Sequence, residues 1–265
     1  MGYDERRWAG KWALVTGASA GIGRALAEQL AAGGANLVLT ARRRDRLEEL
    51  ASKLRAANSV NTEVLAADLV QPGAPAEIRA FTQAKNLEIE MLINNAGFGS
   101  YGALHESALA RQLEMIQVNC SAVVHLTRLY LPEMVARGHG DILIVASVAA
   151  FQAVPYISTY AATKAFDLLF AEGIAEEVRR HGVHVCALCP GSTTTEFREV
   201  AGQPEHTFRG AETAEKVARV GLRALAEGKS SVISGLKNKL SVEGQRLAPR
   251  RMVTRVAASM FDPHK

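Results

Sequence analysis

Apolar, strand-like runs alternate with amphipathic segments of helical length along almost the whole chain of 265 residues. The strand-like runs span residues 12–16, 36–40, 62–66, 89–94, 141–146, 183–188 and 231–234. The helical patterns lie near residues 22–33, 43–57, 74–85, 109–136, 158–181 and 213–227. Because the strands are short and almost continuously apolar, this alternation predicts a mainly parallel sheet with helices on both faces.

Seven strands in one uninterrupted series predict a single domain. We expect an α/β, Rossmann-type doubly wound sheet over residues 1–265, because no linker or internal repeat divides the chain. Residues 191–212 form the longest segment without periodicity, and they follow the sixth strand. Ligands bind at the carboxyl ends of the strands in such sheets, so this segment is a predicted substrate lid. Residues 237–265 are predicted to form a helical extension, with a basic amphipathic helix near 246–260.

Charge and hydropathy exclude several classes of protein. The formal net charge is only +4, and weak basicity without a motif that recognises bases predicts no nucleic-acid partner. Residues 142–163 carry no formal charge, but Gln152 and Pro155 interrupt them, so we predict no membrane span. Charged residues within 1–12 leave no apolar core for a signal peptide, as expected of a cytoplasmic protein.

The chain has three cysteines, Cys120, Cys186 and Cys189. An odd, small number in a chain of this length is typical of a reducing compartment and predicts no disulfides. Cys186 and Cys189 form a C-x-x-C pair, but they lie in a strand-like run, where residues three apart point to opposite faces. We therefore interpret them as buried structural thiols. The seven histidines show no ligand spacing, and no metal site is predicted.

A glycine-rich turn follows the first predicted strand and leads directly into a helix. It has the sequence T-G-A-S-A-G-I-G over residues 16–23. Glycines at such a junction let the backbone approach a pyrophosphate, and the helix N-terminus supplies N–H donors and a positive dipole end. The turn therefore predicts a dinucleotide-binding site. The residues expected to contact the cofactor are Gly17, Ser19, Gly21, Ile22 and Gly23.

The end of the second strand indicates which dinucleotide is bound. Sites for NAD usually place an acidic residue here to hold the ribose 2′-hydroxyl, whereas this chain has Ala41 followed by Arg42 and Arg43. Guanidinium groups suit a 2′-phosphate because they form charge-assisted, often bidentate hydrogen bonds. Arg42 and Arg43 therefore predict NADP(H) in preference to NAD(H). We interpret Arg44 and Arg46 as the solvated start of the next helix.

A serine, a tyrosine and a lysine form the strongest catalytic pattern. Ser147 ends the fifth strand, and Tyr160 and Lys164 lie four residues apart on a predicted helix, so they share one face. A free tyrosine, with a pKa of about 10, is a poor acid or base at neutral pH. The neighbouring ammonium, helped by the positive nicotinamide of an oxidised cofactor, is expected to lower that pKa and to allow general acid/base chemistry.

In combination, these motifs resemble those of the short-chain dehydrogenase/reductase family over residues 10–235. The carriers of the resemblance are the T-G-x-x-x-G-x-G turn, N-N-A-G at residues 94–97, and the set Ser147, Tyr160 and Lys164. The resemblance implies an oxidoreductase that interconverts a small-molecule carbonyl and an alcohol. It also implies a homodimer or homotetramer that forms through the helix carrying Tyr160.

The resemblance assigns further residues to the site. Asn119 matches the fourth member of the family's catalytic tetrad, where it would anchor a proton relay through water. The alternative is a buried helix asparagine that bonds to backbone. Further contacts to the cofactor are implied for Tyr160, Lys164, Asp68, Leu69, Asn94, Ala96, Gly97, Pro190, Gly191, Thr193 and Thr195. The family often has valine where this chain has Thr193, but the contact there is largely from the backbone.

Two alternatives stay open on the sequence alone. The same fold could serve a dinucleotide-sensing regulatory protein without turnover, although the intact set of Ser147, Tyr160 and Lys164 favours an enzyme. The basic segment from Lys237 to Arg255 could also contact a membrane surface. The sequence does not specify the carbonyl, since acyl-chain, steroid-like, sugar and xenobiotic ketones all suit such a pocket.

Overall fold

A computed structural model describes residues 4–205 and 210–262 of the chain. The predicted lid and C-terminal extension therefore each include a few residues, 206–209 and 263–265, that lie outside the described part. The strands within it are β1 (Trp12–Thr16), β2 (Asn36–Ala41), β3 (Thr62–Ala66), β4 (Ile89–Asn94), β5 (Gly140–Val145), β6 (Val183–Cys189), β7 (Thr193–Thr194), β8 (Glu212–Thr213) and β9 (Ser231–Ile233). The strands of the main sheet differ from the predicted runs by no more than one residue at either end.

The main sheet has seven parallel strands in the order β3-β2-β1-β4-β5-β6-β9, whereas β7 and β8 pair only with each other. The doubly wound prediction is confirmed. The chain order reverses between β1 and β4, so the carboxyl ends of these two strands diverge into a crevice. Whatever the protein binds is expected to lie there.

The helices of the described part cover both faces of this sheet. They are α1 (Gly21–Ala32), α2 (Arg44–Asn58), α3 (Ala74–Ala84), α4 (Leu109–Ile116), α5 (Ala122–Arg137), α6 (Ser158–Val178), α7 (Phe197–Ala201), α8 (Ala214–Ala226), α9 (Leu236–Gln245) and α10 (Arg250–Phe261). The core under α3, α5 and α6 and the core under α1, α2 and α8 are separate apolar clusters. No helix in the described ranges is both long and apolar enough to span a bilayer.

Alternation along each strand explains why the two cores form. Leu14 packs in the first cluster and Val15 in the second, and both side chains are fully buried. Cys189 and Cys186 are divided in the same way, and neither forms a disulfide. Their interpretation as buried thiols on opposite faces of the sheet is confirmed.

Two helical segments differ from the expectation. The single helix expected near 109–136 is α4, a π-helical turn at Gln117–Ser121, and α5. Such turns are rare and are frequent at functional sites, and this one contains Asn119. In the C-terminal segment a separate helix, α9, precedes the expected basic helix. The polar sequence of α9 lacks a clear apolar periodicity, so the sequence does not predict it as a helix of its own.

Candidate active site

The crevice at the carboxyl ends of the strands is a cleft of about 400 Å³. This volume lies within the usual range of small-molecule sites. Most of the residues predicted to contact a cofactor line it: Gly17, Ser19, Gly21, Ile22, Arg42, Arg43, Asp68, Leu69, Ala96, Gly97, Tyr160, Lys164, Pro190, Gly191, Thr193 and Thr195. Ser147 lines it as well, so chain segments far apart in sequence converge on one site.

The glycine turn between β1 and α1 requires glycine at two positions. Gly17 and Gly21 have φ of +66° and +55°, in the left-handed region that other residues rarely adopt. A Cβ atom at Gly21 would also lie 2.9 Å from Cγ2 of Thr195. No side chain caps α1, so its first N–H groups are available to an anion. These features fit the diphosphate of a dinucleotide.

Gly23 and Asn94 are not among the residues that line the cleft, so their contact with the cofactor stays a prediction. Gly23 packs against the turn itself, because its Cβ would lie 2.4 Å from the Gly17 carbonyl oxygen. The buried Asn94 side chain donates to Thr127 Oγ1 at 3.1 Å, beneath the site. Asn95 takes the expected place at the cleft, where its Nδ2 donates to the Thr16 carbonyl at 2.8 Å and braces the turn.

Arg42 and Arg43 border the cleft where a ribose 2′-phosphate is expected. Arg42 is exposed and has no ion pair within the described ranges. Arg43 donates to Glu196 Oε2 at 2.7 Å and to Ser19 Oγ at 3.3 Å. Arg46 is exposed in the first turn of α2, as its interpretation as part of a solvated helix start predicts, and it also pairs with the other oxygen of Glu196. Glu196 therefore ties the loop after β2 to the predicted lid.

Ser147 and Tyr160 meet beside this cleft. Ser147 follows β5, and its Oγ accepts a 3.1 Å hydrogen bond from the Ala149 N–H, which fixes the turn. Tyr160, in the first turn of α6, is only 8% exposed, and the Ser147 side chain lies close enough to lower its pKa. The Phe197 ring packs on Tyr160 with 5.1 Å between centroids. The phenol is therefore held in one orientation and shielded from bulk water.

The net shift in the pKa of Tyr160 is upward, although Lys164 acts on it in the predicted, lowering direction. Burial raises it, because a phenolate loses its hydration there. The Lys164 ammonium, as expected, and the Ser147 side chain lower the pKa of Tyr160, but each has a smaller effect than burial. The protein groups alone therefore keep Tyr160 in its protonated form at neutral pH.

The Lys164 ammonium is buried directly below the cleft. Its Nζ donates to the Val145 carbonyl at 2.7 Å and to Asp167 Oδ2 at 2.9 Å. The Nζ atom lies 6.0 Å from the centroid of the Tyr160 ring, close enough for its charge to act on the phenol. Asp167 has no counterpart in the predicted site. The only signal for it in the sequence is its place three residues after Lys164, on the same helical face.

Asn119 is fully buried and uses its side chain to hold backbone. Its Oδ1 accepts from the Phe98 N–H at 3.1 Å, and its Nδ2 donates to the Phe98 carbonyl and to Thr163 Oγ1, both at 3.0 Å. Asn119 does not line the cleft. Both amide hydrogens are used, but a relay water needs only an acceptor from Asn119, so its role in the relay stays a prediction. The geometry matches the alternative of a buried asparagine bonded to backbone.

The C-terminal helices reach the same cleft. Phe261 of α10 lines it, and the Phe261 carbonyl accepts from the Tyr101 hydroxyl at 2.8 Å. A Cβ at Gly191 would lie 2.3 Å from Nδ2 of Asn238, so α9 packs tightly on the segment after β6. The outer faces of α9 and α10 expose apolar residues, including Leu236 and Met252. Contact of this surface with a membrane stays a prediction.

Comparison with known proteins agrees with this geometry. Residues 11–206 match the family model described as short chain dehydrogenase. A 7beta-hydroxysteroid dehydrogenase of Collinsella aerofaciens is 32% identical over 237 residues, which cover 88% of this chain and 89% of that protein. A short-chain dehydrogenase from Sphingobium yanoikuyae, solved in complex with NADPH, is 31% identical with a TM-score of 0.82, over 92% and 95% of the two chains.

A further relative is longer than this chain. Very-long-chain 3-oxoacyl-CoA reductase-A of Danio rerio is 35% identical over 195 residues. The match covers 72% of this chain but only 60% of that reductase.

Proposed function

This chain belongs to the short-chain dehydrogenase family, and from that premise we propose that it interconverts a carbonyl and an alcohol with NADP(H), using Tyr160 as general acid/base. The observation that carries the proposal is the convergence of Ser147, Tyr160 and Lys164 on one side of the dinucleotide-sized cleft. A protein that only sensed the nucleotide would not need a buried, oriented proton donor beside it.

The residues that would hold NADP(H) fit its chemical groups. The turn at Gly17 and Gly21 and the uncapped start of α1 suit the diphosphate. Arg42 and Arg43 suit the 2′-phosphate. When bound, NADP(H) supplies or accepts the hydride. The NADPH complex of the solved relative from Sphingobium yanoikuyae supports the choice of cofactor.

The protein groups would handle the proton and the developing charge. In the direction of reduction, Tyr160 donates its phenolic proton to the oxygen of the reacting carbonyl. Ser147 donates a hydrogen bond to the same oxygen and stabilises the negative charge that grows on it. Lys164 stabilises the phenolate that Tyr160 leaves behind. In the direction of oxidation the same groups act in reverse.

Bulky apolar ketones and secondary alcohols are the proposed substrates. Phe98, Ile157, Phe197, Val200 and Phe261 give the part of the cleft near Tyr160 an apolar wall. The names of two relatives, a hydroxysteroid dehydrogenase and an oxoacyl-CoA reductase, support a large apolar carbonyl. Because the reductase is longer, its own substrate is weaker support than the hydroxysteroid.

A substrate screen tests the proposal. Purified protein is mixed with NADPH and, separately, NADH, and absorbance of the reduced nicotinamide is followed with steroid ketones, 3-oxoacyl thioesters and small sugars. We expect turnover with at least one apolar ketone and a preference for NADPH. Tight NADPH binding without turnover on any ketone or alcohol would instead favour the nucleotide-sensing alternative.

Assembly and location complete the proposed function. We expect a homodimer or homotetramer that uses the outer face of α6, where Phe166 and Leu169 are 39% and 69% exposed. Leu113 of α4 is likewise 55% exposed. Large apolar side chains on one surface are typical of association sites. The free thiols support a cytoplasmic location.

A further inference from the structure

Asp167 is a buried carboxylate next to the catalytic groups. It is 1% exposed and lies one helical turn after Lys164 in α6. Its Oδ2 accepts the 2.9 Å hydrogen bond from Lys164 Nζ. Its Oδ1 has no hydrogen-bond partner among the described residues. Buried carboxylates are rare unless they are paired, so the position of Asp167 calls for a function.

Two opposing effects act on the charge of Asp167. Burial raises the pKa of its carboxyl, whereas the Lys164 ammonium at hydrogen-bond distance favours the ionised form. Removing one partner of such a buried pair leaves the other charge uncompensated. Asp167 and Lys164 therefore depend on each other for their charged forms.

The pKa of Lys164 shows the consequence of its pairing with Asp167. Burial by itself lowers the pKa of this ammonium, but the charge of Asp167 raises it, and the net direction is upward. Two of the three ammonium hydrogens are directed to Val145 and Asp167. The third is left for the cleft side, where Gly97 lies: a Cβ there would be 3.5 Å from Nζ.

We propose that Asp167 is a positioning residue of the catalytic site. It keeps Lys164 charged and oriented, and its own negative charge opposes the loss of the proton from Tyr160. The inference rests on the proposed role of Tyr160 as acid/base. Asp167 itself does not line the cleft, so it acts through Lys164 and not on the substrate.

The neighbouring titratable groups add no charge to the cluster of Tyr160, Lys164 and Asp167 at working pH. Cys120 lies on the π-helical turn and Cys189 on β6, and both interact with these groups. Burial raises the pKa of Cys120 to about 11 and that of Cys189 to about 12, so both thiols are neutral at working pH. Tyr160, Lys164 and Asp167 therefore form a cluster with one positive and one negative charge.

The direction of the effect follows from the sign of the charge. Asp167 raises the pKa of both Tyr160 and Lys164. In Asp167→Asn the cluster loses a negative charge, and while Lys164 keeps its proton the phenol of Tyr160 is deprotonated at lower pH. A loss of packing alone would reduce activity or stability without moving the pH of this ionisation.

The test compares the full-length protein with Asp167→Asn and with Leu168→Val, a control that trims the adjacent buried side chain and keeps all charges. Phenolate absorbance is titrated for each, with the same protein carrying Tyr160→Phe as the blank, over the pH range in which circular dichroism shows an intact fold. We expect Asp167→Asn to contain more Tyr160 phenolate at matched alkaline pH, a shift on the order of one pH unit. Leu168→Val should follow the parent protein.

The same shift is expected in the pH profile of alcohol oxidation, with the best alcohol from the substrate screen. If Asp167→Asn does not fold, Asp167→Ser takes its place. An ionisation that stays unchanged or moves to higher pH overturns the inference. Absence of turnover in the parent protein would contradict the proposed function, whereas the absorbance titration needs no substrate and still tests Asp167.

Discussion

Arg43 and Glu196 form an ion pair with 2.7 Å between Nη1 and Oε2. The pair joins the loop that should bind the 2′-phosphate to the segment predicted as substrate lid. Hydrogen bonds from Arg46 and Arg43 lower the pKa of Glu196, so its carboxylate stays charged at working pH. Glu196 therefore competes with a phosphate for the same guanidinium.

Glu196→Gln should tighten the binding of NADPH, because it removes this competing charge. Both partners are partly exposed, so we expect a gain of only about twofold to fivefold in affinity. Binding of NADH should change little. Fluorescence titration of both nucleotides measures the effect, and Glu199→Gln, which removes a nearby exposed carboxylate from α7, is the matched control. Weaker NADPH binding in Glu196→Gln would show that the carboxylate helps to position Arg43 instead.

Arg43→Ala should raise the Kd for NADPH by about tenfold to a hundredfold, the usual cost of a lost charge-assisted hydrogen bond. The Kd for NADH should stay nearly constant, since NADH lacks the 2′-phosphate. Arg44→Ala removes a neighbouring exposed guanidinium and serves as control. Equal losses for the two nucleotides would contradict the assignment of Arg43 to the phosphate.

Gly21→Ala should destabilise the turn between β1 and α1 by about 1–3 kcal/mol, because φ at this position is +55° and the new Cβ would meet Thr195. Chemical denaturation measures the loss, and nucleotide titration should show weaker binding. Gly244→Ala is the control: its Cβ meets no atom within 4 Å in α9, and alanine favours a helix. A Gly21→Ala protein as stable as its parent would contradict the strained geometry of the turn.

The two reaction directions should have opposite pH dependence. Burial raises the pKa of Tyr160, so the phenol is protonated at neutral pH and available as the acid for reduction. Reduction should therefore be constant at neutral pH and fall as pH rises through the pKa of Tyr160. Oxidation needs the phenolate and should rise over the same range. Profiles of kcat/KM in both directions check this, and an oxidation rate that declines with alkaline pH disagrees with Tyr160 as the base.

The sequence predicts the sheet well because its strands are buried on both faces. Continuous apolar runs such as 89–94 allow little ambiguity, and the chain order then places Gly17, Ser147 and Tyr160 at the same edge. Catalytic residues that lie in short motifs can therefore be predicted from the sequence. The sequence does not decide between Asn94 and Asn95, because the choice depends on which of two adjacent side chains points into the cleft.

Long-range partners and burial are the parts that the sequence cannot supply. The Arg46–Glu196 ion pair joins residues that are 150 positions apart, and no local pattern links them. The sign of the Tyr160 pKa shift depends on a balance between burial and the Lys164 charge, which needs the depth of the site. Asp167 is adjacent to the catalytic pattern, but its significance depends on its burial and its unpartnered oxygen.

Turnover of Tyr160→Phe measures the central claim most directly. With the best ketone from the substrate screen, we expect kcat to fall by about a hundredfold to ten-thousandfold, the usual contribution of a general acid. NADPH affinity and circular dichroism should match the parent protein, and Tyr156→Phe should retain activity because Tyr156 does not line the cleft. Near-normal turnover in a folded, NADPH-binding Tyr160→Phe protein would contradict the assignment of Tyr160 as the catalytic acid/base.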